Sequence, residues 1–235
     1  MYNPRNLITD LNLISLALPT TAHPRPTRIM HLGASIVTES CWRAYVWQAL
    51  HSFGITNIDF VGSNSGPATC TLSGTTVPYD SSHEGHSGSK VTGYAGHGNV
   101  IPWLEAAEPD VVLMHVGTND ASALVSVEDF LSAYDTLLAE MRAQNEGMRI
   151  VVSKLIPIDV EKFGQEIADR IVEYNDALEW WVEENWTECS PVLLVDVYEG
   201  YEVEGMTRDG KHPNEAGDVF MAGKFSGALL DVLVM

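Results

Sequence analysis

Short apolar runs punctuate this chain, and the segments between them return to apolar residues every three or four positions. Residues 28–32, 58–62, 110–116, 149–155 and 192–197 are brief, rich in β-branched side chains and apolar with little alternation. Strands buried on both faces carry that signature, because neither side of the pleat meets water. Residues 38–53 place Trp42, Tyr45, Val46, Ala49 and Leu50 at helical spacing. Residues 126–145 begin with a serine cap and Asp129 three positions on, then set Phe130, Tyr134, Leu137, Leu138 and Met141 along one face. Residues 165–184 do the same with Ile167, Ile171, Tyr174, Leu178 and Trp181, and residues 214–232 close the chain with Val219, Phe220 and Leu230 inward.

Strand–helix alternation predicts a parallel sheet covered by helices on both faces. The expected fold is α/β: a three-layer α/β/α sandwich on a five-stranded parallel sheet of flavodoxin-like order. Residues 1–27 read as an extension ending at Pro24 and Pro26, and residues 28–235 as one domain. The rhythm breaks at 63–99, which holds Gly66, Gly74, Gly85, Gly88, Gly93, Gly96 and Gly98 with three histidines. A loop of that length in a compact domain is usually functional. Ligands of parallel sheets bind beyond the carboxyl ends of the strands. Three polar motifs follow strand ends: Gly33-Ala34-Ser35, Gly117-Thr118-Asn119-Asp120 and the segment around Asp209. They are expected to converge on one edge of the sheet.

Serine is a weak nucleophile until a base takes its proton. His212 can be that base for Ser35, and Asp209, three residues earlier on one turn, can orient the imidazole and stabilise its charged form. Donors for an oxyanion are the Ser35 backbone N–H, a glycine N–H from the 85–88 loop and the Asn119 amide. These parts describe acyl transfer to water, with neither metal nor cofactor required. Asp120 reads as structural.

With these residues in order, residues 28–232 resemble the SGNH (GDSL-type) hydrolase superfamily. Ser35 matches the nucleophile of its first block, Gly88 in His83-Glu84-Gly85-His86-Ser87-Gly88 the glycine of the second, Asn119 in Gly117-Thr118-Asn119-Asp120 the asparagine of the third, and Asp209 with His212 the last. The His83–Gly88 segment and Tyr45-Val46-Trp47-Gln48 resemble carbohydrate esterase family 3. That resemblance implies a secreted serine esterase releasing O-acetyl groups from plant polysaccharide such as acetylated xylan. It also implies an oxyanion hole of Ser35, Gly88 and Asn119. One departure stands out. The family usually places aspartate where this chain has Ala34. Alanine cannot accept the hydrogen bonds of a carboxylate, so the nucleophile loop is expected to be less firmly anchored.

Charge narrows the partners. The formal net charge of −19 repels nucleic acid and anionic membranes and suits neutral or cationic material; the partner that the resemblance implies is an acetylated polysaccharide or oligosaccharide, and a monomer is expected. The alternatives are a short-chain lipid or aryl esterase and a carbohydrate-binding relative with weakened catalysis. Few large apolar residues in 63–99 disfavour a lipid groove.

His83, Glu84 and His86 lack the spacing of a helical zinc motif, and loop structure or substrate contact is expected of them. His115 reads as a satisfied core histidine. Trp180 and Trp181 read as core, and Tyr94 and Trp103 as surfaces for sugar stacking. Of three cysteines, Cys41 reads as a buried apolar residue, while a Cys70–Cys189 bridge is open. The apolar stretch 7–18 is open to two readings, a secretory leader or an extension. Asn185-Trp186-Thr187 is a glycosylation triplet that accords with an extracellular location, the cytoplasm being the alternative.

Overall fold

The computed structural model describes residues 25–234. The stretch 7–18, read above as leader or extension, lies outside them. β1 (Thr27–Gly33) leads into α1 (Ser35–Glu39), α2 (Trp42–Ser52) and β2 (Ile58–Val61). The glycine-rich segment then forms β3 (Asn64–Ser65), β4 (Cys70–Leu72), β5 (Thr75–Val77), β6 (Ser82–Gly85) and α3 (Val91–Ala95). There follow α4 (Ile101–Ala107), β7 (Val111–His115), α5 (Thr118–Ser122), α6 (Val127–Gln144), β8 (Arg149–Ser153), α7 (Val160–Phe163) and α8 (Gln165–Asn185). The chain continues through β9 (Val192–Val195), α9 (Val203–Met206) and α10 (Glu215–Val234).

All five expected strands are present, parallel and ordered β2-β1-β7-β8-β9, the flavodoxin-like sequence of neighbours. The pleat sends alternate residues into two cores. Met30, Val112, Met114, Ile150 and Val152 pack beneath α3, α4, α6 and α8. Ile29, Val111, Leu113 and Val151 pack beneath α1, α2 and α10. Each fully buried aliphatic side chain contributes ~1.5–3 kcal/mol by leaving water.

The sheet is wider than the five strands expected. β2 pairs only with the first half of β1, from Thr27↔Ile58 to Met30↔Val61. β6 then takes over the same edge, with Leu32 opposite Glu84 and Gly33 opposite Gly85, and β3 runs antiparallel beyond it. Gly62 makes this exchange possible. A Cβ there would lie 2.2 Å from the His83 carbonyl carbon, so only glycine lets β6 pass the end of β2. The 63–99 stretch is therefore partly sheet. Arg43, fully buried on α2, braces it by donating to the carbonyls of Ser81 and Gly66.

Four local expectations change. The helix read across 38–53 is two helices, broken at Ser40-Cys41, where Ser40 is extended (φ −100°, ψ 153°) and the Cys41 N–H turns to the Asp218 carboxylate. Cys41 is bonded to Cys70, while Cys189 is free and exposed, which replaces both the apolar reading of Cys41 and the Cys70–Cys189 bridge. On α10 the buried face is Met221, Ala222, Phe225, Leu229 and Val232, while Val219 is exposed and Phe220 and Leu230 are only partly buried. Trp181 is in the core with its indole N–H on Asp135, but its neighbour Trp180 faces solvent. No helix of the described residues is long and apolar enough to cross a membrane.

Candidate active site

β1 delivers its C-terminal end, Gly33, into a crowded corner. A Cβ on Gly33 would lie 2.4 Å from Val37 Cγ2 and 2.5 Å from the His115 carbonyl oxygen. Only glycine allows β1, β7 and α1 to meet so closely. The chain turns at Ala34 and α1 begins on Ser35, whose side chain is half-buried.

The turn before α10 brings the partners. Ser35 Oγ is 2.9 Å from His212 Nε2. His212 Nδ1 is 2.8 Å from Asp209 Oδ2. Asp209 Oδ1 also accepts the backbone N–H groups of Lys211 at 3.0 Å and His212 at 2.8 Å. The turn is closed by the Arg208 N–H donating to the His212 carbonyl at 2.9 Å. A carboxylate at Nδ1 selects the tautomer with its proton on that nitrogen, which leaves Nε2 free to accept from Ser35. Burial alone pushes the Asp209 carboxyl up, but the bonds from His212 and Lys211 outweigh it and bring it down to about 2. Asp209 therefore stays ionised at neutral pH, and water reaches 47% of its side-chain surface.

Two further donor groups border the same corner. The Asn119 amide donates one N–H to the Ser89 carbonyl at 2.9 Å, which fixes the amide plane and leaves its second N–H available. Ser35 and Asn119 line one recess with Ala34, Ile36, His115 and Lys211. Gly88 lies between two ties: His86 donates its backbone N–H to the Gly33 carbonyl at 3.0 Å, and Ser89 is held by Asn119. Nothing lies within 4 Å of where a Gly88 Cβ would sit. Ser35, Asp209, His212 and Asn119 are thus gathered at one sheet edge, and Gly88 lies on the segment tied to Gly33 on one side and to Asn119 on the other. A hydroxyl relayed through imidazole to carboxylate, with backbone and amide donors beside it, can attack an acyl carbonyl and hold the resulting negative charge.

The neighbours divide by task. Asp120 is structural, accepting from Val91 N–H at 2.8 Å and from the Thr92 hydroxyl at 2.7 Å at the start of α3. Glu84, fully buried, accepts from the Ser63 N–H at 2.6 Å and the Ser63 hydroxyl at 2.7 Å, and lies 2.6 Å from His86 Nε2. The His86 ring stacks on half-buried Trp103 at 4.5 Å. His83 Nδ1 accepts from Gly85 N–H. Among the described residues no group of three or more His, Cys, Asp or Glu is arranged to hold a metal ion. His115 is only half satisfied: Nδ1 lies 2.6 Å from Ser153 Oγ, but Nε2 has no partner, and burial lowers its pKa to about 4.

Tyr94 requires a correction. It is 3% exposed, so it presents no face for a sugar to stack on. Its hydroxyl donates instead to the Gly33 carbonyl at 2.6 Å. Lys211 escaped the sequence reading. Its Nζ lies 4.5 Å over the Phe163 ring and 3.4 Å from Ser122 Oγ. The only signal was its place between Asp209 and His212.

Known proteins share this arrangement of chain. The sequence pattern of the GDSL-like lipase/acylhydrolase family matches residues 59–218, a span that includes Gly88, Asn119, Asp209 and His212 and begins after Ser35. An acetyl esterase, solved as a serine-to-alanine mutant with an acetate ion, is 32% identical, with a TM-score of 0.77 over 88% of this chain and 97% of that one. A carbohydrate esterase family 3 protein from Talaromyces cellulolyticus is also 32% identical, with a TM-score of 0.78 over the same shares, 88% and 97%. A multidomain esterase from Ruminococcus flavefaciens is 27% identical over 228 aligned positions, covering 89% of this chain. The chain spans only 29% of the length of that relative.

Proposed function

The chain belongs to the GDSL-like lipase/acylhydrolase family and is a carboxylic ester hydrolase; on that footing we propose that it is a serine esterase removing O-acetyl groups from plant polysaccharide such as acetylated xylan. The observation that carries this reading is the unbroken relay from Ser35 Oγ through His212 to Asp209, with steps of 2.9 Å and 2.8 Å.

In the proposed reaction Ser35 Oγ attacks the acetyl carbonyl and its proton passes to His212 Nε2. The tetrahedral oxyanion rests on the N–H groups of Ser35 and Gly88 and on the free Asn119 amide N–H. Asp209, ionised throughout, stabilises the imidazolium. The intermediate collapses by breaking the bond to the sugar oxygen, which takes the proton from His212. A water then gives a proton to His212 and attacks the acetyl-Ser35 carbonyl; the bond from the acyl carbon to Ser35 Oγ breaks, Oγ takes the proton back from His212, and acetate leaves.

The recess shared by Ser35 and Asn119 supports acetate as the acyl group. Its walls, formed by Ala34, Ser35, Ile36, His115 and Asn119, enclose a small space beside the nucleophile, in keeping with a short acyl group. The Cys41–Cys70 bridge supports an extracellular location, since disulfides persist mainly in oxidising compartments.

Ser35→Ala, assayed for acetate release from acetylated xylan, tests the reaction, and retained activity would sink it. A series of esters of increasing acyl length tests the substrate. Rates falling steeply beyond acetate support a polysaccharide deacetylase, and rates rising with chain length favour a lipid esterase.

A further inference from the structure

One buried group with no step in the proposed reaction touches the nucleophile turn directly. Tyr94 reaches from α3 to place its hydroxyl 2.6 Å from the Gly33 carbonyl, 61 residues earlier in the chain. The same carbonyl accepts the His86 N–H at 3.0 Å. Two donors from the glycine-rich segment therefore clamp one oxygen.

A peptide unit is a rigid plane, so fixing its carbonyl fixes its N–H as well. The Gly33 carbonyl belongs to the Gly33–Ala34 peptide. The next peptide, Ala34–Ser35, carries the Ser35 N–H, and its carbonyl accepts from Val37 N–H at 3.0 Å and from Thr38 N–H and Oγ1, both at 3.0 Å. Both planes leading into Ser35 are thereby held, the second from within α1 and the first only from the neighbouring segment. The Ala34 side chain supplies no acceptor.

We infer that Tyr94 is a positioning residue for Ser35: its hydroxyl, with the His86 N–H, holds the Gly33–Ala34 peptide and supplies the tie between loops that residue 34 cannot make. The direction of the bond is reversed relative to a side-chain anchor, because the neighbouring segment donates to the backbone of the nucleophile turn. The ring is itself well placed to hold still. It packs edge-on against Trp103 at 5.5 Å and near His86 at 6.2 Å. Burial pushes its phenol up to about 12, so it remains a donor over the whole working range.

This inference rests on Ser35 as the nucleophile, and Ser35→Ala tests that premise separately. Tyr94→Phe keeps the ring and removes only the hydroxyl. The measurements are kcat and KM on a small acetyl ester, the thermal midpoint, and the rate at which a small organophosphonate labels Ser35. A misaimed nucleophile costs rate without weakening ground-state binding. The expected result is a fall of about tenfold or more in kcat and in labelling rate, with KM and the thermal midpoint little changed. A variant whose kcat and labelling rate stay within about twofold of wild type would overturn the inference, as would a loss that merely tracks a smaller folded fraction while the remaining sites label at full speed.

Discussion

The Asp218 carboxylate, on the helix that follows the catalytic turn, accepts the backbone N–H of Cys41 at 3.0 Å and so fixes the start of α2. Its other oxygen is buried without a partner. Burial raises its pKa to about 7, against opposing bonds from Cys41 and Trp42. An acid whose folded pKa is raised binds its proton more tightly in the folded state, so the stability it adds below its unfolded pKa is lost as pH rises through about 4 to 7. Asp218→Asn keeps an acceptor for the Cys41 N–H and cannot ionise. Its stability relative to wild type is expected to rise across that window by on the order of 2–4 kcal/mol, read from urea melts at several pH values.

His31 works in the opposite sense. Both its nitrogens are buried without partners between Trp42 and Phe60, and burial holds its pKa well below the usual value. The unfolded chain takes up a proton below about pH 6.5 that the folded chain refuses, so acidification destabilises it. His31→Phe is expected to flatten the fall of stability between about pH 4 and 6.5 by up to ~1.4 kcal/mol per pH unit, one proton's worth. An unchanged slope would assign the acid sensitivity to other groups, with His83 and His115, lowered by burial to about 3 and about 4, next in line.

Asn119→Ala removes one proposed oxyanion donor and the tie to the Ser89 carbonyl. A kcat loss of ~10²–10³ with little change in KM is expected. A rise in KM alone would place Asn119 in substrate binding only.

Cys70→Ser opens a loop whose ends lie 29 residues apart in sequence. The expected loss is about 3–4 kcal/mol, mainly through a freer unfolded chain, measured by denaturant unfolding under oxidising conditions. Reduced wild type should match the variant.

The five buried strands and the helix faces on α6 and α8 were legible because burial on two faces, or on one stripe, writes a plain pattern. The face of α10 was not. Val219, Phe220 and Leu230 are apolar like Met221, Phe225 and Leu229, and the face that α10 turns to the core, which composition does not mark, chooses between them. The strands of 63–99 were hidden for another reason. Their order depends on backbone space at Gly62 and on the buried Arg43 guanidinium, neither of which leaves a periodic trace. The cysteine pairing depended in turn on where that segment carries Cys70. Ser35, Asn119, Asp209 and His212 were legible from residue type and order, whereas Tyr94 acts through its contact with a backbone carbonyl and looked like an exposed platform.

At the carboxyl end of β1, Gly33 stands in register with Gly85 on one side and His115 on the other. The sheet thus acts as a ruler. Counting from that common row, Ser35 follows after two residues, Gly88 after three and Asn119 after four. These short spans are metric: adding or deleting one residue in any of them misplaces a group by more than a hydrogen bond can tolerate, since each residue advances an extended chain by about 3.3 Å. The exposed tip of the β4–β5 hairpin, Ser73-Gly74, lies outside these spans, beyond the buried Cys70 and Leu72 that fix the hairpin's base. Sequence length can vary there, where the chain meets solvent, without moving the atoms that meet the ester.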